Sequence, residues 1–562
     1  MRKRIVASWI IICMTFIFAN NARKASHEPL LKLRGDESIK CKKVEVTYPY
    51  VLNHGREEVI IGTTAYDYQA HGGFGQRITL DSYLQAHINW MYMDMGQTTR
   101  FCAWNARRSD SSYCGQTQAS PSWSGYVQLD VTRDADPDNQ RTVIAYHYNP
   151  GSGYYSWIDI DGGNLWGIGI NNPRTPGVPD HIWPYVAVAN NGNIVLATGD
   201  YNANMLHLYM TTDEGDSWTS VADFDSCANL SQFVRSSINA GSDKVVFVWT
   251  QFIQDSIASG QLDNNVWYML SEDGGFSWGQ RVNITDYQPS DSVRAFCCVN
   301  AVFDLDDNLH ISWAGRKVTD NYYDASKIFH WDEVNNTITV VSSPSTYYSE
   351  PGGWWINVSG YGDYGAWRMP ADQPQLTVDI LNGNLLCLWG GNDDYTDYSA
   401  GGYVNGEIFG ALSTDGGLTW TPYSNLTNTR SPGANPGECM DEDYFTVYPR
   451  FYLGGMFFHG VYTYVLDKDA GGWPQTEGVL TDNPVYCYYF FWPGGCEEEA
   501  YESFRSTVVG PNIFSGSLLL PEGKNCRVFD ITGRTVALER MQPGIYFIEM
   551  DGKIIQKVIK VR

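Results

Sequence analysis

The chain has 562 residues, which at roughly 150 residues per domain corresponds to about four domains unless the fold is a repeat. It carries 38 Lys and Arg against 63 Asp and Glu, and this net charge of −25 argues against binding to nucleic acid. Aromatic residues make up 14%, charged residues only 18%, and glycines number 55. This composition excludes a disordered chain and favours strands and turns over a helical bundle.

The N-terminus has the pattern of a secretory signal. A basic stretch at residues 2–4 precedes an apolar run over residues 5–19, which is shorter than the roughly 20 residues that a membrane helix needs. We therefore predict a signal peptide over residues 1–22, a linker over 23–50 and no membrane span in the mature chain. A retained membrane anchor is the alternative.

An eight-residue pattern occurs three times in the middle of the chain. It reads Ser or Thr, any residue, Asp, any, Gly, any, Ser or Thr, and Trp. The positions that define it are Thr211, Asp213, Gly215 and Trp218, then Ser271, Asp273, Gly275 and Trp278, then Ser413, Asp415, Gly417 and Trp420. We interpret each octet as a hairpin turn, because Asp accepts backbone hydrogen bonds in its own turn and Gly supplies a positive φ. The alternative is a catalytic role for Asp, which would require the three carboxylates to share one cleft.

Further turns rich in Asn, Asp and Gly separate short apolar runs at residues 190–193, 306–308 and 382–384. With the octets they predict units of four antiparallel strands, and such a unit is the blade of a β-propeller. We place the propeller at residues 51–500. Six blades are expected, with seven as the alternative.

The octets resemble the Asp-box repeats of sialidases and of related β-propellers without that activity, over about residues 50–495. The resemblance implies the propeller fold and a ligand site where the innermost strands begin. A sialidase site would need Arg residues that clamp a substrate carboxylate, a Tyr nucleophile and a Glu that activates it. The candidates in this chain are Arg77, Arg235, Arg294, Arg368, Glu442 and Tyr444.

Other residues near the expected strand starts suit binding without catalysis, because aromatic faces stack on sugars or peptides. The candidate ligand-binding residues are His181, Trp183, Trp354, Trp355 and Asp372. Surface ion pairing of the Arg residues and simple packing of the aromatic residues are the alternatives.

One acidic segment resembles the opening of a calcium loop, with Asp134, Asp136 and Asp138 alternating along the chain. Position six of such a loop is Gly, and here it is Asn139, so a solvated acidic turn is the favoured interpretation. His and Cys residues do not cluster at zinc spacing, so we predict neither a zinc site nor a cofactor.

The C-terminal residues are a separate module, with more basic than acidic groups. We predict a linker over 501–522 and a small β-sandwich over 523–562. Three segments, Val528–Arg534, Pro543–Phe547 and Lys557–Val558, resemble the C-terminal sorting domain of the type IX secretion system. This resemblance implies that the type IX secretion machinery is a partner of the chain. It also implies a secreted or outer-surface location on a Gram-negative, Bacteroidetes-like bacterium.

The sequence therefore predicts an all-β, exported protein in which a propeller precedes a small β-sandwich. The expected function is non-catalytic recognition of a glycan or another extracellular polymer. The alternative function is an exo-sialidase or related glycoside hydrolase that uses an Arg-clamped carboxylate site.

Overall fold

Strands make up nearly all regular structure in the computed structural model of the chain. The structure describes residues 57–560 except 71–72, 109–111, 164–167, 229, 254–262, 319–324, 342–348, 351–353, 357–363, 366–367, 395, 455–456, 471–478, 491–512, 515–525, 531–534, 539–540, 543 and 551–552. Within these residues there is no α-helix, and a 3-10 turn spans Pro137–Asn139. The described part of the chain also has no helix with the length and hydrophobicity that a membrane span requires. The chain divides into two compact units, with the division at residues 491 and 492.

The first unit is built from antiparallel sheets, here called blades 1 to 7. Short runs of apolar residues, separated by turn residues, form strands that pair with their neighbours in the chain. The strands of blade 1 are Ile78–Leu80, Ala86–Met93, Arg100–Arg107 and Thr117–Gln118, those of blade 2 are Gly125–Val131, Thr142–Tyr148 and Tyr155–Ile160, and those of blade 3 are His181–Val188, Ile194–Asp200, Leu206–Thr211 and Thr219–Phe224. The strands of blade 4 are Phe233–Ser236, Val245–Phe252, Asn264–Ser271 and Val282–Asn283, and those of blade 5 are Val293–Phe303, Leu309–Lys317, Ala325–Asp332 and Thr337–Val340. The strands of blade 6 are Ala371–Asp379, Leu385–Gly391, Glu407–Ser413 and Ser424–Asn425, and those of blade 7 are Asp441–Val447, Phe457–Asp467, Asn483–Phe490 and Glu57–Thr64. Shorter strands at Ser349–Glu350 and Trp354–Ile356 extend blade 5, and Arg450–Gly454 links blades 6 and 7.

From blade 1 to blade 7, the first strand of each blade packs against the first strand of the next, so these strands are innermost. Blade 7 meets blade 1 through the strand Glu57–Thr64, which packs against Ala86–Met93 and closes the ring. Closure uses the N-terminal strand Glu57–Thr64, which pairs with Asn483–Phe490 as the outer strand of blade 7. The structure is the β-propeller that the sequence predicts, but the strand pairing favours seven blades over the six expected. Seven is the number that the sequence gives as the alternative. The first and last units lack the octet, so the sequence pattern does not mark them as blades.

Four innermost strands carry the same irregularity at the same place. Tyr126, Trp183, Gln373 and Tyr444 have φ values of 54°, 54°, 51° and 50°, in the left-handed region that bulky residues avoid. Each lies at a break in the register with the second strand of its blade. Such bulges re-aim side chains, and the strain they store is typical of functional sites.

A glycine-rich segment, residues 73–76, crosses the middle of the ring. The carbonyl oxygens of Gly73, Phe74 and Gly75 accept hydrogen bonds from Tyr185 in blade 3 (2.7 Å), Gln375 in blade 6 (3.0 Å) and Thr446 in blade 7 (3.1 Å). A Cβ at Gly75 would lie 2.6 Å from a ring carbon of Tyr185, so only glycine fits there. We call this segment the central plug.

The octets form the hairpin turns that their sequence predicts, one each in blades 3, 4 and 6. In the first, Asp213 accepts hydrogen bonds from the backbone N–H of Ser217 at 2.9 Å and from the Ser217 and Thr211 hydroxyls at 2.6 and 2.7 Å. The hydrogen bonds from Ser217 lower the pKa of Asp213 to about 2. The same bonds recur at Asp273 and Asp415. The three carboxylates therefore serve three separate turns and do not share a cleft.

We expect Gly417→Ala to destabilise the protein by about 1–3 kcal/mol more than Gly416→Ala. Both glycines have positive φ, 89° and 71°, so both substitutions strain the backbone. A Cβ at Gly417 would also overlap the ring of His330, whereas the space beside Gly416 is open. Urea denaturation followed by Trp fluorescence measures the difference. Equal losses for the two variants would contradict this account of the octet glycine.

The second unit contains one four-stranded sheet within its described residues. Its strands are Ile513–Phe514, Cys526–Asp530, Gly544–Met550 and Lys553–Lys560. Outside these strands, Thr535 forms a single bridge with Phe529. A sandwich needs a second sheet to cover the first, and the described residues supply only one.

Candidate functional site

The innermost strands of blades 1 to 3 meet around a small buried cavity that contains the predicted residues Arg77 and Trp183. We call it the Arg77 cavity. The space measures about 10 Å³, enough for about one water-sized group. Its lining consists of Ala70, Arg77, Tyr126, Gln128, Trp183, Tyr185, Leu230 and Gln232. Two of these residues, Tyr126 and Trp183, belong to the four residues with positive φ at the bulges of the innermost strands.

Arg77 is held in the cavity by neutral groups. Its guanidinium donates hydrogen bonds to the side-chain oxygen of Gln69 (2.9 Å) and to the backbone carbonyl of Gln69, and it lies 4.4 Å from the ring centre of Phe74. In the part of the chain that the structure describes, no carboxylate pairs with it. Burial without a counter-charge lowers the pKa of Arg77 to about 10, so the group stays charged at neutral pH.

A histidine and two tyrosines beside the cavity were not predicted from the sequence. The His147 ring lies 5.1 Å from that of Tyr126 and 5.8 Å from that of Tyr154, and its Nδ1 is 3.3 Å from the Trp183 backbone nitrogen. His147 lies in the second strand of blade 2 and Tyr154 in the loop that follows it, so their position in the chain gives no sign of the cavity. The prolines within two innermost strands, Pro184 and Pro374, were a usable signal for the bulges.

Arg368 lies in a second group, which we call the Arg368 cluster, with Asp372, Asp441 and Asp443. Its Nε is 3.2 Å from Asp372, and its Nη1 pairs with Asp443. Burial opposes the charge, but Asp372, Asp443 and Asp441 raise the pKa of Arg368 well above its usual value. Burial raises the pKa of Asp372 to about 6 despite the neighbouring Arg368. The carboxylates of the cluster thus neutralise the charge of Arg368. The predicted ligand-binding residue Asp372 is ion-paired with Arg368.

Tyr444 stands between the two groups, because its ring lies 5.8 Å from that of Phe74 and it follows Asp443 in the chain. Burial, and next the charge of Asp443, raises the pKa of Tyr444 well above its usual value. A tyrosine with this shift is a poor nucleophile at neutral pH. Glu442, the predicted activator, accepts a hydrogen bond from the Thr429 hydroxyl.

The remaining predicted arginines are bonded to groups other than Tyr444 and the Arg368 cluster. Arg235 donates a hydrogen bond to the side-chain oxygen of Gln76 at 2.6 Å, and burial lowers its pKa to about 10. Arg294 donates to the backbone carbonyls of Pro289, Asp291 and Val293. Of the predicted arginines, Arg77 and Arg368 interact electrostatically with Tyr444.

Of the two neighbouring tryptophans predicted to bind a ligand, Trp354 and Trp355, the structure describes the side chain of Trp355 only. Trp355 is buried, with its ring 5.1 Å from those of Phe409 and Tyr423 and 6.1 Å from that of Trp389. It packs blade 5 against blade 6 and is not placed to stack on a ligand. The strand Trp354–Ile356 includes Trp354, whose side chain lies outside the described residues.

The acidic segment of the calcium candidates forms an exposed turn. Asp134 and Asp136 accept hydrogen bonds from the backbone nitrogens of Asp136 and Asp138, at 2.9 and 3.1 Å, and Asp138 accepts one from the Tyr83 hydroxyl at 2.8 Å. Asp134 and Asp136 thus accept hydrogen bonds within their own turn, and Asp138 accepts one from a residue outside it.

One cysteine, Cys102, lies in the strand Arg100–Arg107 of blade 1. Cys102 is a buried free thiol 3.7 Å from the Ser124 hydroxyl, and burial raises its pKa. It therefore forms no disulfide with another described cysteine.

Comparison with known proteins gives structural similarity only. No family model matches the chain, and no curated protein matches it. A polysaccharide lyase of the PL25 ulvan lyase family is similar at 10% identity and a TM-score of 0.46, over 76% of this chain and 97% of that one. An α-L-arabinanase from Penicillium chrysogenum has 12% identity and a TM-score of 0.37, over 77% and 97%. A protein of unknown function from Dyadobacter fermentans has 11% identity and a TM-score of 0.36, over 77% and 97%. At these values the similarity assigns no activity to this chain.

Proposed function

We propose that the propeller binds an acidic glycan, or another acidic extracellular polymer, at the Arg77 cavity and does not cleave it. One observation carries this proposal: a buried guanidinium that has only amide, carbonyl and aromatic neighbours among the described residues. A buried cation is costly without an anion, and a planar guanidinium matches a carboxylate or sulfate well. The cavity admits one small group, so the remainder of the ligand would lie outside it.

The aromatic lining supports the same function. Tyr126 and Trp183 are fixed by bulges in a backbone conformation that costs of order 1–3 kcal/mol each. Rigid aromatic side chains bind sugars with a small loss of conformational entropy. Side-chain amides such as those of Gln128 and Gln232 can add hydrogen bonds to hydroxyl groups.

The alternative, an exo-sialidase, has less support. It requires three arginines around one carboxylate, and Arg235 and Arg294 are bonded elsewhere. Arg368 already pairs with carboxylates, and the raised pKa of Tyr444 opposes its use as a nucleophile. Release of product from a fluorogenic sialoside by the purified protein would favour this alternative over simple binding.

Replacing Arg77 with Met should reduce affinity for the acidic ligand at least tenfold, since it removes the charge-assisted contact. A glycan array identifies the best acidic ligand. Titration calorimetry then compares that ligand with its carboxyl-reduced analogue. Wild-type protein should prefer the acidic form, and the Arg77→Met variant should lose the preference.

Arg235→Met is the matched control. Arg235 is also buried, also bonded to a glutamine side chain and also without a hydrogen-bonded carboxylate among the described residues. It donates to Gln76 and is not part of the Arg77 cavity lining. This variant should retain the preference for the acidic ligand. Unchanged affinity in Arg77→Met, or equal binding of the carboxyl-reduced analogue by wild-type protein, would refute the proposed site.

An extracellular setting belongs to the same proposal. It rests on the N-terminal signal pattern and on the C-terminal resemblance to a type IX sorting domain, both of which are features of the sequence.

A further inference from the structure

Three side chains with metal-binding chemistry meet at one end of blade 3. His181 begins the innermost strand, Asp200 ends the second and His207 lies near the start of the third. Asp200 is directly opposite His181 in the sheet. One nitrogen from each imidazole and one oxygen from the carboxylate all lie within 4.8 Å of one another. We call these residues the His–Asp–His group.

The outer atoms of this group are fixed by hydrogen bonds. His207 Nδ1 is 2.7 Å from Asp223, and His181 Nδ1 is 2.7 Å from the Tyr209 hydroxyl. One oxygen of Asp200 accepts from the backbone nitrogens of Asn202 and Ala203, at 2.7 and 3.0 Å. A histidine that binds a metal commonly gives its other N–H to a carboxylate or another acceptor, which orients the ring and fixes its tautomer.

The inner nitrogen of His207 is the atom that most needs a partner. Nε2 is buried and makes no hydrogen bond with any described residue. It faces the second oxygen of Asp200 at 3.8 Å, too far for a hydrogen bond but close to the spacing of two ligands around one tetrahedral ion. Because Asp223 occupies Nδ1, this Nε2 presents a lone pair.

We propose that His181, Asp200 and His207 bind one divalent first-row transition metal ion, for which Zn²⁺ is the best match. Two imidazole nitrogens and one carboxylate oxygen suit Zn²⁺ and not Ca²⁺, which takes oxygen ligands. Three protein ligands leave a fourth position for water or for an oxygen of a bound molecule. The site does not depend on the proposed glycan function.

The two rings must move slightly to share an ion. They are stacked, with centres 3.6 Å apart and planes 13° from parallel. Imidazole lone pairs lie in the ring plane, so parallel rings at this distance cannot both point at one atom. Metal binding therefore tilts one ring away from the stack. His181 is the ring that can do this, because its side chain is half-exposed while His207 is buried.

The test uses untagged full-length protein that has been stripped with EDTA and titrated with ZnCl₂ by calorimetry. Wild-type protein should bind one Zn²⁺ per chain, and Co²⁺ should give the visible absorption of a tetrahedral site. His207→Gln and Asp200→Asn should each weaken binding at least tenfold, and Asp223→Asn about 10–100-fold through the orientation of His207. Zn²⁺ should raise the thermal midpoint of wild-type protein but not of these variants.

His310→Gln is the matched control. His310 and His330 are also stacked, with ring centres 5.2 Å apart, but Nδ1 of His310 contacts Nε2 of His330 at 3.0 Å, so the rings bond to each other. This variant should bind Zn²⁺ like wild-type protein. Should His207→Gln prove unstable, His181→Gln at the half-exposed position provides the same comparison. Absence of stoichiometric Zn²⁺ binding by wild-type protein, or unchanged affinity in the His and Asp variants, overturns the proposal.

Discussion

Arg368→Met should lower the free energy of unfolding by about 3–5 kcal/mol at neutral pH, the range for removing one partner of a buried ion pair. The substitution leaves Asp372, Asp441 and Asp443 together in the interior without the cation that they share. Met fills a similar volume, so the loss reports charge and not an empty space. Urea denaturation at pH 7.5, followed by Trp fluorescence, measures it.

An exposed ion pair provides the control. Arg174 pairs with Asp216 at 2.6 Å, and both side chains are open to solvent, where such pairs contribute about 0–1 kcal/mol. Arg174→Met should therefore change stability little. Adding Asp443→Asn to Arg368→Met should recover part of the loss, because it removes one of the unpaired charges. A loss in Arg368→Met no greater than in Arg174→Met would show that the Arg368 cluster contributes little to stability.

Glu407→Gln should stabilise the protein by up to about 3 kcal/mol at pH 8, and the gain should disappear towards pH 5. Burial, with smaller contributions from Asp393 and Asp397, raises the pKa of Glu407 to about 7. A carboxyl whose pKa is raised on folding binds protons more tightly in the folded state. Its contribution to stability therefore falls as pH rises from about 4.5 to 7. Gln resembles the protonated form and avoids this cost.

The measurement is the unfolding free energy of both proteins between pH 5 and pH 8. Glu214→Gln is the control, since Glu214 is exposed and pairs with Arg141 at the surface. That variant should be slightly less stable than wild-type protein throughout. If Glu407→Gln is less stable than wild-type protein at pH 8, or if its effect does not vary with pH, then ionisation of Glu407 is not costly in the folded protein.

The sequence was most informative where the chemistry is local. An octet contains its own donors, acceptors and positive-φ glycine within eight residues, so the amino-acid pattern by itself assigns Asp273 and Gly275 to a turn. The same holds for the strands that the octets join. The number of blades was harder to predict, because the first and last units lack the octet. The sequence alone did not show where each of these units begins and ends.

The candidate site was predictable only in part, because it depends on contacts between distant segments. Arg368 and Asp372 are near one another in the chain, and both were among the candidates. Their partner Asp443 becomes a neighbour only when blades 6 and 7 meet. The His–Asp–His group escaped a search for zinc spacing because its ligands come from three strands and follow sheet register, not sequence interval.

The central plug has a consequence for how the protein folds. Gly75 and Thr446 are hydrogen-bonded across 371 positions of the chain, and Phe74 and Gln375 across 301. These contacts cannot form until nearly the whole propeller has been synthesised, so residues 73–76 remain unenclosed while the earlier blades assemble. Folding that depends on such remote pairings is slow, and the final docking step is expected to join the two ends of the propeller at once.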